Sequence, residues 1–237
     1  MKDKARRGIL NTVLILLAFA FVARLGKPFV LQAYIETTIG NCKNIAVLCA
    51  YPAQGIIRQA VEKQSLAGLV RYDFPDMEIS MPREFTVIKE QINKVYYKRK
   101  PREHAGNVAY LLYERPDFFV DLFPRLKKQG VDNDFEFISR TMSASPAAIE
   151  DLTDTFFVVM KTVFTPYLGE ENNIKMIQFA VEDKKGFIAY SLCKEANYFD
   201  CNVINGRGDF FKVYIKDKAG ALDLKKVLAI VSTLNHH

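Results

Sequence analysis

The stretch from Ile9 to Ala23 constrains this chain more than any other feature, because it is almost entirely apolar. A helix that spans a bilayer needs roughly 20 apolar residues, and a run in the mid-teens also suits the core of a secretory signal peptide. A buried helix of a soluble domain fits less well, because no polar face continues beyond Thr12. The sequence therefore predicts that this segment enters a membrane.

The residues around the end of the run favour a retained anchor over a signal peptide that is removed. Cleavage requires small residues at the last and third-last positions before the cut, and Ala18-Phe19-Ala20 has that form only inside the run itself. If Arg24 and Lys27 extend their charges to the membrane surface, the helix continues through Leu31 to spanning length. We therefore predict one N-terminal transmembrane helix within residues 1–31, with cleavage as the alternative.

Charges at the amino terminus predict the orientation of this anchor. A single acid, Asp3, stands against four basic residues before the run: Lys2, Lys4, Arg6 and Arg7. Lysine and arginine hold the flank that carries them in the cytoplasm, so the rest of the chain should lie on the extracytoplasmic side of the cell membrane. The inverted topology stays open as an alternative, in which a cytoplasmic domain binds an anionic ligand.

Four cysteines follow the run: Cys42, Cys49, Cys193 and Cys201. An even number of cysteines outside the cytoplasm is consistent with disulfides, and Cys42 and Cys49 can close a small loop. Neither pair has the two-residue spacing of a zinc knuckle, and no histidine lies near them in the sequence. We therefore expect no bound metal.

The rest of the chain predicts one domain over residues 72–237, joined to the anchor by a juxtamembrane segment over residues 32–71. Hydrophobic residues make up 49% of the 237 residues, which is enough for one packed core. Apolar residues at helical spacing predict a short helix over residues 54–66 of the juxtamembrane segment, set by Ile56, Ile57, Ala60 and Val61.

The domain itself should begin with strands and continue with helices. Alternating apolar residues predict strands near residues 77–81, 85–88, 93–98 and 108–113. Helices are predicted from Phe118, from Asp134 and from Ser145. The third has the clearest start, since Ser145 suits a cap and Pro146 the first helical position, and it should continue to Val163. A closing helix is expected after Gly220.

Residues 174–216 predict a four-strand antiparallel meander, because alternating runs are separated by turns. Tight turns would place Tyr190 opposite Cys201 and Cys201 opposite Val213, with the apolar side chains on one face under the helices. The same register separates Cys193 too far from Cys201 for a disulfide and predicts a free, buried Cys201, and only a wider loop between the two cysteines would allow that disulfide. The opposite face would contact a partner through Tyr198, Asp200, Asn202, Lys212 and Tyr214.

Strands, helices, meander and helix in this order predict an α+β fold, with an antiparallel sheet packed with helices. Three features resemble the PsbP-like and DcrB-like group of small extracytoplasmic domains over residues 72–236. They are Glu78-Ile79-Ser80-Met81-Pro82 followed by Phe85, Gly186-Phe187 opening a meander strand, and the closing helix. The resemblance implies an accessory subunit or envelope protein rather than an enzyme. It does not imply a lipid anchor, because Cys42 lies too far beyond the apolar run.

A basic and aromatic cluster is the surface feature with the most functional content. Such groups together suit anionic surfaces such as lipid headgroups, whereas the predicted topology disfavours nucleic acid. A solvated strand edge, whose lysines prevent unwanted pairing, is the simpler explanation of the same residues. The cluster consists of Lys94, Tyr96, Tyr97, Lys98, Arg99, Lys100 and Arg102.

The motifs give no support for catalysis or for a cofactor. His104 is accompanied by no glycine-flanked serine of the kind that serves as a nucleophile. Gly206-Arg207-Gly208 lacks the third glycine and the helix of a dinucleotide site and predicts a hairpin turn. We therefore expect a non-catalytic accessory or binding protein of the cell envelope, whose partner is an envelope protein or anionic lipid. An envelope hydrolase with an unrecognised site is the alternative.

Overall fold

The computed structural model describes residues 26–58, 66–89, 106–165 and 173–237. Several sequence predictions lie outside these residues: the apolar run Ile9–Ala23, the strand at 93–98, the basic and aromatic cluster, and His104. Within the described residues, no helix is both long enough and apolar enough to cross a bilayer.

The described residues form an α+β fold. Its strands are β1 (Pro52–Arg58), β2 (Leu69–Asp73), β3 (Glu78–Pro82), β4 (Thr86–Lys89), β5 (Val108–Glu114), β6 (Lys175–Val181), β7 (Lys184–Leu192), β8 (Asn197–Ile204) and β9 (Phe210–Asp217). Its α-helices are α1 (residues 26–38), α2 (Phe118–Leu122), α3 (Asp134–Ser143), α4 (Leu152–Phe164) and α5 (Leu224–Ser232). Short 3₁₀ helices lie at Ala46–Cys49, Pro124–Gln129 and Pro146–Ala148.

Seven of these strands form one mixed sheet in the order β1-β6-β7-β8-β9-β5-β4, and β2 pairs with β3 in a separate two-stranded sheet. The predicted meander is confirmed, since β6 to β9 pair antiparallel in chain order. The prediction of a purely antiparallel sheet is wrong, because β1 pairs parallel with β6 and β4 pairs parallel with β5. The two outermost strands of the sheet are therefore the ones that differ from the prediction.

The register of the meander differs from the prediction at one hairpin. Tyr190 pairs with Phe199 instead of Cys201, whereas Cys201 pairs with Val213 as predicted. The error is an even number of residues, so every side chain keeps its face. The apolar face of the meander is therefore the one the sequence predicts, and it packs around Cys201 in the core.

Both faces of the sheet are covered. Helices α2, α3 and α4 cover one face with a core rich in phenylalanine, where the rings of Phe119, Phe137 and Phe164 lie 5.0–5.8 Å apart between centroids. The β2–β3 hairpin and α5 cover the other face and contribute Met77, Ile79 and several side chains of α5 to a second core. Burial on both faces leaves the loops, edges and outer helix surfaces for contact with partners.

The third predicted helix is interrupted, because two start signals follow one another. Ser145 caps only the 3₁₀ helix Pro146–Ala148, where its Oγ accepts a hydrogen bond from the N–H of Ala147 at 3.1 Å. Helix α4 then begins at Leu152, where the side chains of Asp151 and Asp154 form a capping box with the first backbone N–H groups. Because a second helix start follows at Asp151, the chain does not form the single helix that Ser145 and Pro146 predicted.

The juxtamembrane helix predicted over residues 54–66 is wrong for its described part. Residues Pro52–Arg58 form β1, which pairs with β6 at the edge of the sheet. Gly55 has a φ of +96°, a backbone conformation that a helix does not allow. The helical spacing of Ile56 and Ile57 is therefore overridden by pairing with the sheet edge.

Candidate functional site

The predicted cysteine pair lies in the loop that follows α1. Cys42 and Cys49 are joined in a disulfide with their Cα atoms 5.5 Å apart. Leu48 from the same loop is buried in a small cluster with Val158 of α4. Cys201 is a free and buried thiol, which confirms that prediction, and burial raises its pKa.

The face predicted to contact a partner is buried, and this prediction is wrong. Its members are at most 7% exposed, because α3 and α4 lie over that side of the meander. A polar residue at every second position of a strand usually marks a solvent-facing surface, but here it marks a polar network inside the protein. The residues concerned are Tyr198, Asp200, Asn202, Lys212 and Tyr214.

Lys212 is the centre of that network. Its Nζ donates hydrogen bonds to Asp200 Oδ1 and to the carbonyl oxygen of Phe164, the last residue of α4. It also donates to Asn202 Oδ1 at 3.3 Å. A cation at the carboxyl end of a helix satisfies carbonyls that lack helical partners and complements the helix dipole. The network therefore has a structural role, which is to fasten α4 to the sheet.

Lys161 fulfils a similar role on α4 itself. Its Nζ donates to the carbonyl oxygens of Ala50 and Ala144, at 2.7 and 2.8 Å. These residues directly follow the 3₁₀ helix Ala46–Cys49 and α3, so one buried ammonium caps two helix ends. Burial lowers the pKa of Lys161 to about 8.

A serine, a tyrosine and this lysine lie together, and a serine beside a lysine is one of the arrangements that hydrolases use. The hydroxyl of Tyr51 hydrogen-bonds to Ser145 Oγ, and Lys161 Nζ lies 5.0 Å from the centroid of the Tyr51 ring. However, Ser145 Oγ also caps a 3₁₀ helix, and Lys161 is directed to carbonyl oxygens rather than to the serine. The contacts of these three residues are accounted for by structural roles.

A cavity of about 360 Å³ lies at one end of the sheet, and we call it the sheet-end cavity. The β6–β7 turn, the β8–β9 turn and the first residues of α2 and α3 meet there. The residues that line it are Asp117, Asn133, Asp134, Phe135, Asp183, Lys185, Ile204, Asn205, Gly206 and Gly208. Among these lining residues there is no hydroxyl, thiol or imidazole group, so the ionisable groups of the cavity are its three aspartates and Lys185.

Among the lining residues of the sheet-end cavity, Asp134 has a buried side-chain oxygen without a hydrogen-bond partner. It is 2% exposed, and its Oδ1 accepts hydrogen bonds from the N–H groups of Phe119 and Val120 at 3.0 and 3.1 Å. Its Oδ2 is buried and has no hydrogen-bond partner among the described residues. Burial raises the pKa of Asp134 to about 6, although the backbone N–H groups of Val120, Phe119 and Phe118 act in the opposite direction. Because Oδ2 is almost closed to solvent, it could accept a hydrogen bond from a bound group only after a small movement of the side chain.

The other charges of the sheet-end cavity are already paired or spread apart. Asp183 forms an ion pair with Lys184 at 2.7 Å, and Lys185 Nζ lies 4.1 Å from the centroid of the Phe135 ring. Asp117 adds a third carboxylate at the rim. The acids outnumber the lining lysine, so the cavity favours a ligand with a cationic or other donor group over an anionic one.

Within the described residues, a different group has the spacing for a metal ion, and it comprises Asp73, Glu78 and His237. Arg71 forms ion pairs with both of its carboxylates, at 2.7 Å to Asp73 and at shorter range to Glu78. A side-chain cation thus already neutralises these acids. The three carboxylates of the sheet-end cavity do not converge in this way, so that cavity suits an organic group better than a bare ion.

The sequence pattern predicted Asp134 only as the start of a helix and did not indicate the sheet-end cavity. Its lining comes from four segments that are far apart in the chain, and each segment read alone is a turn or a helix start. The one available signal was that both turns of the meander at this end carry acids and amides. Comparison of the chain with protein-family models, with curated proteins and with solved structures found no match.

Proposed function

We propose that this protein is a non-catalytic accessory or binding protein of the cell envelope, anchored in the membrane by residues 9–23, with its domain on the extracytoplasmic side. The observation that carries the binding function is Asp134 Oδ2, a buried acceptor without a partner among the described residues, in a cavity whose lining has no hydroxyl, thiol or imidazole group. Such a cavity suits recognition of a donor group better than chemistry on it. The resemblance to PsbP-like and DcrB-like domains is part of the same proposal.

Two observations support the extracytoplasmic location. The basic flank before the apolar run favours an amino terminus in the cytoplasm. The Cys42–Cys49 disulfide lies in the first loop after α1, and disulfides persist in oxidising compartments outside the cytoplasm. An inverted topology would place this disulfide in a reducing compartment.

Carboxyl-terminal reporter fusions to the full chain test the topology. We expect a reporter that works only outside the cytoplasm to be active, and one that works only inside to be silent, because the basic flank precedes the single apolar run. The reverse result would sink the proposed location. It would instead favour the inverted topology, in which a cytoplasmic domain binds an anionic ligand through the basic and aromatic cluster.

Photo-crosslinking in intact cells tests the sheet-end cavity. We expect p-benzoylphenylalanine in place of Phe135 to crosslink an envelope component, and the crosslink to disappear in Asp134→Asn. Asparagine keeps an oxygen for the N–H groups of Phe119 and Val120 but replaces the unpaired acceptor with a donor. Because Asp134 has a pKa of about 6, the crosslink should also weaken as the external pH falls below that value.

The matched control for this experiment is Phe74, another partly buried phenylalanine, which packs against the core on the opposite face of the sheet. p-Benzoylphenylalanine at that position should give no crosslink that depends on Asp134. Equal adducts from both positions, unchanged by Asp134→Asn, would show that the cavity has no part in binding.

A further inference from the structure

An apolar groove lies on the outer surface of the helical layer, between α2 and α4, and we call it the α2–α4 groove. It has a volume of about 350 Å³ and is lined by Leu122, Phe123, Pro124, Arg125, Leu126 and Phe156. Leu122 is 57% exposed at the end of α2. Leu152, which is 68% exposed, lies one helical turn before Phe156 on the same side of α4 and extends the apolar surface. Contiguous exposed apolar surface of this kind is a common mark of an interaction site.

The floor of the α2–α4 groove is held in place by the core below it. The Phe123 ring meets the Phe156 ring edge-on at 5.0 Å between centroids and stacks on the Phe137 ring at 5.9 Å. Phe137 is fully buried, and Leu126 is buried beside these rings. Aromatic residues fixed in an apolar depression are positions where protein interfaces concentrate their binding energy. The groove is therefore formed before a partner arrives.

The border of the α2–α4 groove is basic. Arg125 lines the groove, and side chains three residues apart share one side of a 3₁₀ helix. Lys128 therefore follows Arg125 about 6 Å further along the helix, and Lys127 follows the lining residue Pro124 in the same way. Arg125, Lys127 and Lys128 are exposed, and none of them forms an ion pair with an acid of the described residues.

The acids closest to the α2–α4 groove in the chain leave this positive charge uncompensated. Asp121 is paired with Arg115 at 2.9 Å, and Asp132 follows only after the 3₁₀ helix has ended. Asp154 lies two residues before Phe156, so it faces a different side of α4. Its carboxylate accepts hydrogen bonds from two backbone N–H groups at 2.9 and 3.3 Å. The charge around the groove therefore favours an acidic partner.

The elements that form the α2–α4 groove favour a helical partner over an extended one. Its lining belongs to α2, the 3₁₀ helix Pro124–Gln129 and α4, together with the residue between the first two. An extended peptide needs hydrogen bonds from a strand edge, and the lining contains no strand. A helix satisfies its own backbone groups and can insert apolar side chains at helical spacing into such a groove.

We propose that the α2–α4 groove binds an amphipathic helix of a partner protein, whose apolar face enters the groove and whose acidic side chains lie against Arg125, Lys127 and Lys128. This surface is additional to the sheet-end cavity, since the two share no lining residue. Failure of this proposal would therefore leave the proposed function of that cavity in place.

Binding of a defined peptide tests the α2–α4 groove. The probe is a fluorescein-labelled peptide of about 18 residues, because much shorter helices are marginal in water. It carries leucines at helical spacing on one face, glutamates along both borders of that face and alanines elsewhere. A second peptide has lysine at every glutamate position, and a third has the composition of the first in an order without an apolar face. Fluorescence anisotropy measures the affinity of each for the full chain in phosphatidylcholine nanodiscs, with empty nanodiscs as the blank.

We expect the acidic amphipathic peptide to bind the natural chain at least about tenfold more tightly than either of the other peptides. Leu122→Glu should weaken this binding by about tenfold or more, because it places a carboxylate in the apolar groove. Leu192→Glu is the matched control and should leave the affinity unchanged, because Leu192 is 60% exposed at the end of β7, outside the groove. Both leucines are exposed, so both variants should fold.

Reversing the charge of the border tests the acidic character of the partner. With glutamate in place of Arg125, Lys127 and Lys128, the lysine peptide should bind more tightly than the glutamate peptide. An unchanged order of the two peptides would contradict the proposal. Equal affinity of the natural chain and Leu122→Glu for the glutamate peptide, or no binding to either, would overturn the groove as the site. Quenching of Leu122→Trp by brominated lipid in the nanodisc would show that the membrane covers the groove, and the proposal would fail.

Discussion

Replacing Lys212 with methionine should lower the free energy of unfolding by about 3–5 kcal/mol near neutral pH, because it leaves a buried carboxylate without its cation. Asp200 is 0% exposed, and its Oδ2 already lacks a hydrogen-bond partner among the described residues. Methionine fills much of the same volume but donates no hydrogen bond to Asp200 Oδ1 or to the Phe164 carbonyl. Urea unfolding of the full chain in a mild detergent, followed by circular dichroism, measures the loss.

The loss should depend on pH in a direction that follows from Asp200. Burial raises the pKa of Asp200 even beside Lys212, and removal of the cation should raise it further. A carboxyl group with a higher pKa in the folded state binds more protons there, so its contribution to stability decreases as pH rises through that pKa. Lys212→Met should therefore cost more near neutral pH than at a lower pH, because protonation of Asp200 removes the unpaired buried charge.

Two further variants separate the ion pair from general damage to the core. Asp200→Asn combined with Lys212→Met should recover most of the lost stability, because no buried charge remains. Lys194→Met, at an exposed position in the β7–β8 turn, should change stability by less than about 0.5 kcal/mol. If Lys212→Met is as stable as the natural protein near neutral pH, the network does not fasten α4 to the sheet.

The same network shows why the partner-contacting face was predicted wrongly. Strands β8 and β9 alternate polar and apolar residues, and alternation is the pattern of a sheet with one face in water. Burial of Asp200, Asn202 and Lys212 is tolerated because they form hydrogen bonds with one another and with a helix end, and these bonds depend on distances that a strand pattern does not contain. Helices were nevertheless predicted both before and after the meander. If these helices pack on opposite faces of the sheet, both faces of the sheet are buried.

Local signals in the sequence were sufficient where one rule dominated. The turns of the meander fixed which strands pair, and an even register error left every side chain on its predicted face. Local signals were insufficient where two helix starts follow one another closely, as at Ser145 and Asp151. The edge strand β1 and the sheet-end cavity depend on contacts between distant segments, and no local pattern reports these.

Replacing Gly186 with alanine should cost at least about 3 kcal/mol, because a side chain there has no room. Gly186 pairs with Phe179 on one side and Val203 on the other, inside the meander. A Cβ atom on Gly186 would overlap the carbonyl oxygen of Asn202 and would lie 3.0 Å from the Asn202 carbonyl carbon and 3.1 Å from the Val203 Cα. All three atoms belong to the backbone of β8, so no rotation of a side chain can relieve the overlap.

The matched control is Gly206→Ala, in the turn that follows β8. The nearest atom to a Cβ atom at that position is Asp183 Cβ at 3.6 Å, which is an ordinary contact, so this variant should stay close to the natural stability. Resistance of the full chain to a protease, together with the urea midpoint, compares the two variants and still gives a result if Gly186→Ala fails to fold. Equal protease resistance and equal midpoints would contradict the close approach of β7 and β8.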